Sequence, residues 1–246
     1  MIPKIIHYCW FGGNPLPPLA KKCIASWKKF CPDYEIKEWN ESNFDININN
    51  YVKEAYDKKK YAFVTDYVRL YALYRFGGIY MDTDVEVNQP LDDFLNHRAF
   101  TGCENQQYCV TGIIAAEKEH PWIKDLLDGY KNRSFILSNG DIDTIPNTEI
   151  ITKATIERYE WNPVNEYQVL KEDLHIYPFS VFCAKDFKTG RVVVTHETYT
   201  VHHFSGSWHS KSDKLKMRII RLLGPKLTRY AIMLKRRIGN RRGEKF

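Results

Sequence analysis

The stretch 61–87, YAFVTDYVRLYALYRFGGIYMDTDVEV, constrains this chain more than any other. No glycine or proline interrupts it before Gly77, and Phe63, Val64, Tyr67, Val68, Leu70, Tyr71, Leu73 and Tyr74 are spread around a helical turn. An apolar surface on all sides predicts a helix buried on most faces. Within it Asp66 and Arg69 lie three apart, hence on one face. Gly77 and Gly78 end the helix, the first suiting a left-handed C-cap. Ile79, Tyr80 and Met81 then read as a strand, with Asp82-Thr83-Asp84 at its end.

Two carboxylates one residue apart at a strand end converge on a hard cation, which takes oxygen ligands and keeps positions for water and phosphate. Such an ion stabilises a diphosphate as a leaving group. A bare Asp-x-Asp is common by chance and most often a solvated acidic loop. Here a charged pair in an apolar helix precedes it by a short, fixed path, and buried charges are costly unless paired or functional.

The run Ala62, Asp66, Arg69, Tyr74, Gly77-Gly78, Tyr80 and Asp82-Thr83-Asp84 resembles the signature of the glycosyltransferases with the DXD sugar-binding region. These include initiating α-1,6-mannosyltransferases, capsular polysaccharide transferases and, distantly, the large clostridial glucosylating toxins. The resemblance covers residue 3 to about 130 and touches the chain again near 202–208. It implies an α/β, GT-A (Rossmann-like) fold over 1–210, followed by a basic amphipathic tail at 211–246.

Upstream, 4–8 (KIIHY) reads as a first strand, followed by Trp10, Gly12-Gly13 and a proline-rich turn. Strand, glycine turn and helix present a ligand at the carboxyl end of a parallel sheet. No GxGxxG is present, so this is not the dinucleotide fingerprint. Trp10 is open between core packing and base stacking on pattern alone; the resemblance favours stacking. Further expected elements are helices at 19–30, 51–60, from His120 to 130, and at 152–159. Strands are expected at 34–39, 99–102, 110–116 and 192–195, with a strand pair over 174–182. The segment 132–143 reads as a flexible polar connection, and Glu104, Asn105 and Gln106 as weak candidates for sugar or acceptor contact.

The second informative stretch is 199–208, YTVHHFSGSW. An imidazole there completes a metal site begun by Asp84. Adjacent residues point opposite ways on a strand, so one of His202 and His203 at most is a ligand. The resemblance puts this stretch on metal and diphosphate. The expected metal set is therefore Asp82, Asp84 and His203, with Ser207 and the Trp208 indole on the phosphates. Asp66, Arg69 and Asp82 form the expected catalytic group, and Trp10, Asp66, Arg69, Asp82, Ser207 and Trp208 the donor-binding group.

Apolar residues make up 43% of the 246, enough for a full core, and the 14% that are aromatic suit a site that stacks rings and sugars. Six cysteines without a CxxC pair, and no signal peptide, read as reduced cytosolic thiols. No window approaches the ~18 apolar residues of a membrane span. The net charge of +6 is unevenly spread: residues 209–246 carry +11, and the preceding body −5. Leu227, Tyr230, Ala231, Leu234 and Ile238 form an apolar stripe in that tail, with Lys226, Arg229, Arg236 and Arg237 off it. Such helices dock on anionic membranes or pack on their own domain. The acidic body and absence of a nucleic-acid motif argue against nucleic acid.

The resulting expectation is a glycosyltransferase dependent on Mn²⁺ or Mg²⁺. It would move a hexose from a UDP-sugar, or alternatively a GDP-sugar, to a lipid-linked saccharide of capsule or lipopolysaccharide synthesis. It would be cytoplasmic and peripheral on the inner membrane face. Retention of configuration is implied by the resemblance, through a front-face reaction, since no enzymatic nucleophile stands out. A catalytically silent sugar- or nucleotide-binding module of the same fold is the alternative.

Overall fold

A computed structural model describes residues 1–187 and 189–206. Ser207, Trp208 and the tail at 211–246 lie outside the described residues. In chain order the elements are β1 (Ile5–Cys9), α1 (Pro18–Phe30), β2 (Glu35–Trp39), α2 (Asn50–Asp57), α3 (Tyr61–Phe76), β3 (Gly78–Met81), β4 (Val85–Val87), β5 (Ala99–Cys103), β6 (Cys109–Ala116), α4 (Pro121–Asp128), α5 (Asn147–Tyr159), β7 (Gln168–Leu170), β8 (Leu174–Tyr177), α6 (Phe179–Phe182) and β9 (Thr200–His202).

Seven strands form one sheet in the order β2-β1-β3-β6-β5-β8-β7. β1 pairs in parallel with β2 and β3, and β5 with β8, while β6 and β7 run against their neighbours. The expected α/β class, with a mostly parallel sheet, is what the chain adopts. Alternation along the strands feeds two cores. Tyr80, Ile114 and Ala116 face the layer of α2 to α5, whereas Ile79, Met81, Ile113 and Ala115 face Cys23 and Trp27 of α1. The carboxyl ends of β1, β3 and β5 open on one edge of the sheet, and the site lies there.

α3 is buried as its apolar girth predicts, with Val64, Tyr67, Val68, Arg69, Leu70, Ala72 and Leu73 all out of solvent. Gly77 has the positive φ expected of it (68°) but an extended ψ of −174°. The chain therefore turns straight into β3 instead of closing a left-handed cap. A side chain there would meet Lys118 N at 2.8 Å and Pro3 Cδ at 2.9 Å, so glycine is required twice over. A second, two-stranded sheet joins β4 to β9, with Val85 opposite His202. The buried indole of Trp27 donates to Val85 O at 2.7 Å, fixing α1 against the strand that follows the acidic tip.

Three expectations are corrected. The strand pair over 174–182 is one strand, β8, followed by the short helix α6, which Pro178 opens. The 192–195 segment forms a single bridge, Lys185 to Val192, and no strand. The 132–143 connection is held in place: Glu54 accepts from the backbone N–H groups of Phe135 and Ile136 at 2.8 and 2.9 Å, and Arg133 pairs with Asp143 at 2.7 Å. All six cysteines are buried and free.

Candidate active site

β3 delivers Asp82 to the sheet edge, and the backbone turns immediately, Val85 N–H donating to Asp82 O at 3.0 Å. Each carboxylate of the tip uses one oxygen as an anchor. Asp82 Oδ1 accepts from the Tyr80 hydroxyl at 2.8 Å and meets Arg69 Nη2 at 3.3 Å. Asp84 Oδ2 accepts from the Ser205 N–H at 2.7 Å. The other two oxygens face the His202 ring: its Nε2 is 3.3 Å from Asp84 Oδ1 and 4.0 Å from Asp82 Oδ2.

The histidine beside the tip is thus His202, not His203. The two point opposite ways from the end of β9, as alternation requires. His203 is taken up elsewhere: its Nε2 lies 2.7 Å from Glu86 Oε2, and Glu86 also pairs with Lys22 at 2.9 Å. His202 packs against Gly112, where a β-carbon would come within 2.9 Å of Nδ1. Nδ1 makes no hydrogen bond of ordinary length; the Cys183 thiol is a polar neighbour that helps raise the ring's pKa.

Arg69 ties the helix to the tip. Its Nη2 lies 3.1 Å from Asp66 Oδ1 as well as 3.3 Å from Asp82, and its guanidinium sits 4.6 Å over the Tyr80 ring. Asn147, at the first turn of α5, donates to Asp66 Oδ1 at 3.1 Å. Burial pushes Asp66 up to about 6 against the pull of Arg69, with Asp82 adding to the rise. Burial also raises Asp82 against Arg69. Asp84 goes the other way: burial opposes its charge, but His202 and the Ser205 N–H outweigh that and hold it below the usual carboxylate range. His202 is correspondingly raised well above the ordinary imidazole value, Asp84 overcoming the effect of burial. Each thus favours the charged form of the other.

One ligand atom each from Asp82, Asp84 and His202 lies within 4.8 Å of the others. An ion with ligands at ~2.0–2.6 Å needs such spacing, and two carboxylate oxygens plus an imidazole make a mixed oxygen and nitrogen donor set for a divalent ion. The anchors from Tyr80, Arg69 and Ser205 orient the carboxylates as outer-shell partners do. The residues therefore fit a divalent cation.

Trp10 follows β1 and is half-buried. Its indole N–H donates to Asn14 O at 2.5 Å, which fixes the ring. With Pro17, Leu19, Ala20, Thr83, Asp84 and Ser205 it lines a cleft of about 130 Å³. Asp82, Asp84, Asp66 and Arg69 thus come together as one group and Trp10 borders it, while His203 stands apart. Glu104 is half-buried, and its carboxyl is raised by burial, with His202 and Asp82 close enough to influence it.

Sequence reasoning passed over Tyr80's anchoring role, Asn147 and Gly112. Tyr80 was within reach, since its hydroxyl is two residues from the acidic tip. Asn147 and Gly112 leave no local signal, because both act through contacts distant in the chain.

The mixed α/β topology places an Asp-x-Asp tip at the carboxyl edge of the sheet. Residues 17–101 match the family described as "Glycosyltransferase sugar-binding region containing DXD motif", and Asp82-Thr83-Asp84 is that motif in this chain. Over 126 residues the chain is 33% identical to Inositol phosphoceramide mannosyltransferase 3 of Schizosaccharomyces pombe, covering 50% of this chain and 35% of that protein. It therefore spans about a third of that relative's length. Over 234 residues it is 25% identical to an uncharacterized glycosyltransferase, L373, of Acanthamoeba polyphaga mimivirus, covering 87% of this chain and 88% of that one. A looser likeness, too distant to carry an inference, is to the solved PaToxG Glycosyltransferase, with a TM-score of 0.47, 19% identity and 63% and 68% of the two chains covered.

Proposed function

We propose that the protein is a metal-dependent, retaining GT-A-type glycosyltransferase that moves a hexose from a nucleoside diphosphate sugar to a saccharide acceptor. The observation that carries this is the convergence of Asp82, Asp84 and His202 within 4.8 Å, beside the cleft that Trp10 lines.

A bound divalent cation would offset the charge developing on the leaving diphosphate. Asp82, Asp84 and His202 would hold it, with His202 surrendering its proton, as a ligating imidazole must be neutral. Trp10 stacks the base. Asp66 accepts a hydrogen bond from a donor-sugar hydroxyl. Arg69, shared between Asp66 and Asp82, keeps both carboxylates in place. Ser207 and Trp208, which follow His202 closely in sequence, remain the proposed diphosphate contacts.

The acceptor in this reading is lipid-linked, the glycan belongs to the cell surface, and the enzyme works on the inner membrane face. Two features support it: the basic tail, and the likeness to the fission-yeast protein named as an inositol phosphoceramide mannosyltransferase. Among the described residues no helix is long and apolar enough to cross a membrane.

The test is incubation with a panel of UDP- and GDP-sugars and Mn²⁺, detecting released nucleoside diphosphate. The reading expects one donor to be turned over, with chelator and Asp84→Asn each abolishing release. Nucleotide-sugar binding without release or transfer, across the panel and with saccharide acceptors added, would overturn it in favour of a silent binding module.

A further inference from the structure

Asn147 is the first residue of α5, and the residue before it, Pro146, supplies no side-chain cap to the helix. An asparagine near a helix start ordinarily accepts from the backbone N–H groups of its own first turn. Here the amide reaches α3 instead, Nδ2 donating to Asp66 Oδ1 at 3.1 Å. Its Oδ1 is buried without a hydrogen-bond partner, and the residue is only 7% exposed. An unpaired buried acceptor costs stability, so the fold by itself gives no reason for an asparagine at this position.

The contact matters for how Asp66 is held. Two donors from two elements meet on one oxygen: Arg69 Nη2, within α3, lies 3.1 Å from Asp66 Oδ1, and Asn147 comes from α5. The carboxylate is thereby fixed in rotation, and Oδ2 is left to a ligand. Arg69 alone fixes it less well, because the same Nη2 also serves Asp82 at 3.3 Å.

α5 is a firm support for this contact. The buried indole of Trp122, on α4, donates to Thr155 Oγ1 at 3.1 Å, and the Cys109 N–H of β6 donates to Thr152 Oγ1 at 3.0 Å. β6 is also the strand whose Gly112 carbonyl accepts from the Asp82 N–H at 2.8 Å. One helix is thus tied to Asp66 through Asn147 and to the acidic tip through β6. Groups supported by helices and strands are held more closely than groups on loops.

We propose that Asn147 is a positioning residue for the donor sugar: it holds the Asp66 carboxylate at a set distance from the acidic tip, with Oδ2 turned to a hexose hydroxyl. This rests on the reading that Asp66 meets the donor sugar, and it adds the residue through which α5 sets that contact. The nucleotide makes no use of Asn147, because Trp10 follows β1, on the opposite side of β3 from β6.

The test is a double-mutant cycle between Asn147 and Asp66 in the full chain. UDP-glucose, UDP-galactose, GDP-glucose and GDP-mannose are offered with Mn²⁺, and kcat/KM is read from released UDP or GDP. For a donor that the wild type turns over, Asn147→Ala should lower kcat/KM by on the order of 100-fold, as a small misplacement of a reacting geometry does. In an Asp66→Ala background the same substitution should cost less than about twofold, because Asn147 acts through that carboxylate. Free UDP and GDP should bind Asn147→Ala as they bind the wild type in titration calorimetry. Asn147→Leu repeats the cycle with the side-chain volume kept, so that a loosened helix in the alanine variant does not decide the result. Equal losses in the two backgrounds, recovery of turnover in Asn147→Leu, or a matching loss of free-nucleotide affinity would each overturn the inference while the glycosyltransferase reading stands. A wild type inactive with all four donors would remove the hexosyl-transfer reading together with it.

Discussion

The His202 ring lies so close to Gly112 that a β-carbon on Gly112 would stand 2.9 Å from Nδ1. Gly112 also accepts from the Asp82 N–H through its carbonyl, at 2.8 Å. One residue of β6 therefore both seats the imidazole and holds the backbone of the acidic tip. Gly112→Ala should push the ring away from Asp84 while leaving both carboxylates intact. Mn²⁺ affinity, read by electron paramagnetic resonance of the free ion, should fall ~10–100-fold, as for the loss of outer-shell support. Unchanged affinity would mean that the strand shifts to absorb the methyl group.

The two adjacent histidines separate the metal assignment cleanly. His202→Ala removes the imidazole facing Asp84, and Mn²⁺ binding should fall at least as far as in the glycine variant. His203→Ala breaks a contact with Glu86, which keeps its Lys22 pair, so binding should change less than about threefold, within the range of lost surface pairs. The reverse ranking would return the ligand role to His203.

These histidines also mark how far the sequence could be read. The helix–turn–strand–tip unit was legible because everything that defines it lies within 61–87, and glycine punctuation and side-chain periodicity are local. Choosing His202 needed the register of β9 on β4, a pairing of segments more than a hundred residues apart, which no local pattern encodes. The Asn147 contact to Asp66 was hidden for the same reason. Val192 to Val194 misled through propensity: three β-branched residues suggest a strand, but among the described residues no neighbouring strand pairs with them beyond the single bridge at Val192. The acidic tip and the charged pair on its helix were therefore readable, and which histidine stands beside them depended on tertiary contacts.

Trp10 offers a ring already fixed by its bond to Asn14, at the mouth of a cleft that also includes Asp84. Base–aromatic stacking is worth ~1–3 kcal/mol. Trp10→Ala should weaken nucleoside diphosphate binding about 5- to 150-fold by titration calorimetry, with Mn²⁺ affinity in the absence of nucleotide unchanged. Wild-type nucleotide affinity in the variant would make Trp10 a packing residue.

Asp66 connects the site to stability. Burial raises its folded pKa from 3.8 to about 6, against the attraction of Arg69. Between those values the folded state holds a proton that the unfolded chain releases. The associated stability is fully present below 3.8 and is lost as pH rises through about 6. At neutral pH the buried carboxylate therefore costs the fold something, of the order of 1–3 kcal/mol, in keeping with a group retained for function. Asp66→Asn keeps an Oδ1 acceptor for Asn147 and Arg69, and Arg69 keeps its charge partner in Asp82. The variant should melt higher than wild type at about pH 7.5, by ~2–4 °C per kcal/mol, and the gain should shrink toward about pH 4.5, where the wild-type carboxyl is protonated in the fold. Donor turnover should fall in the same variant. Calorimetric melts at the two pH values decide it: an Asp66→Asn variant less stable than wild type at the higher pH would mean that the pull of Arg69 outweighs burial and that Asp66 helps to hold the fold.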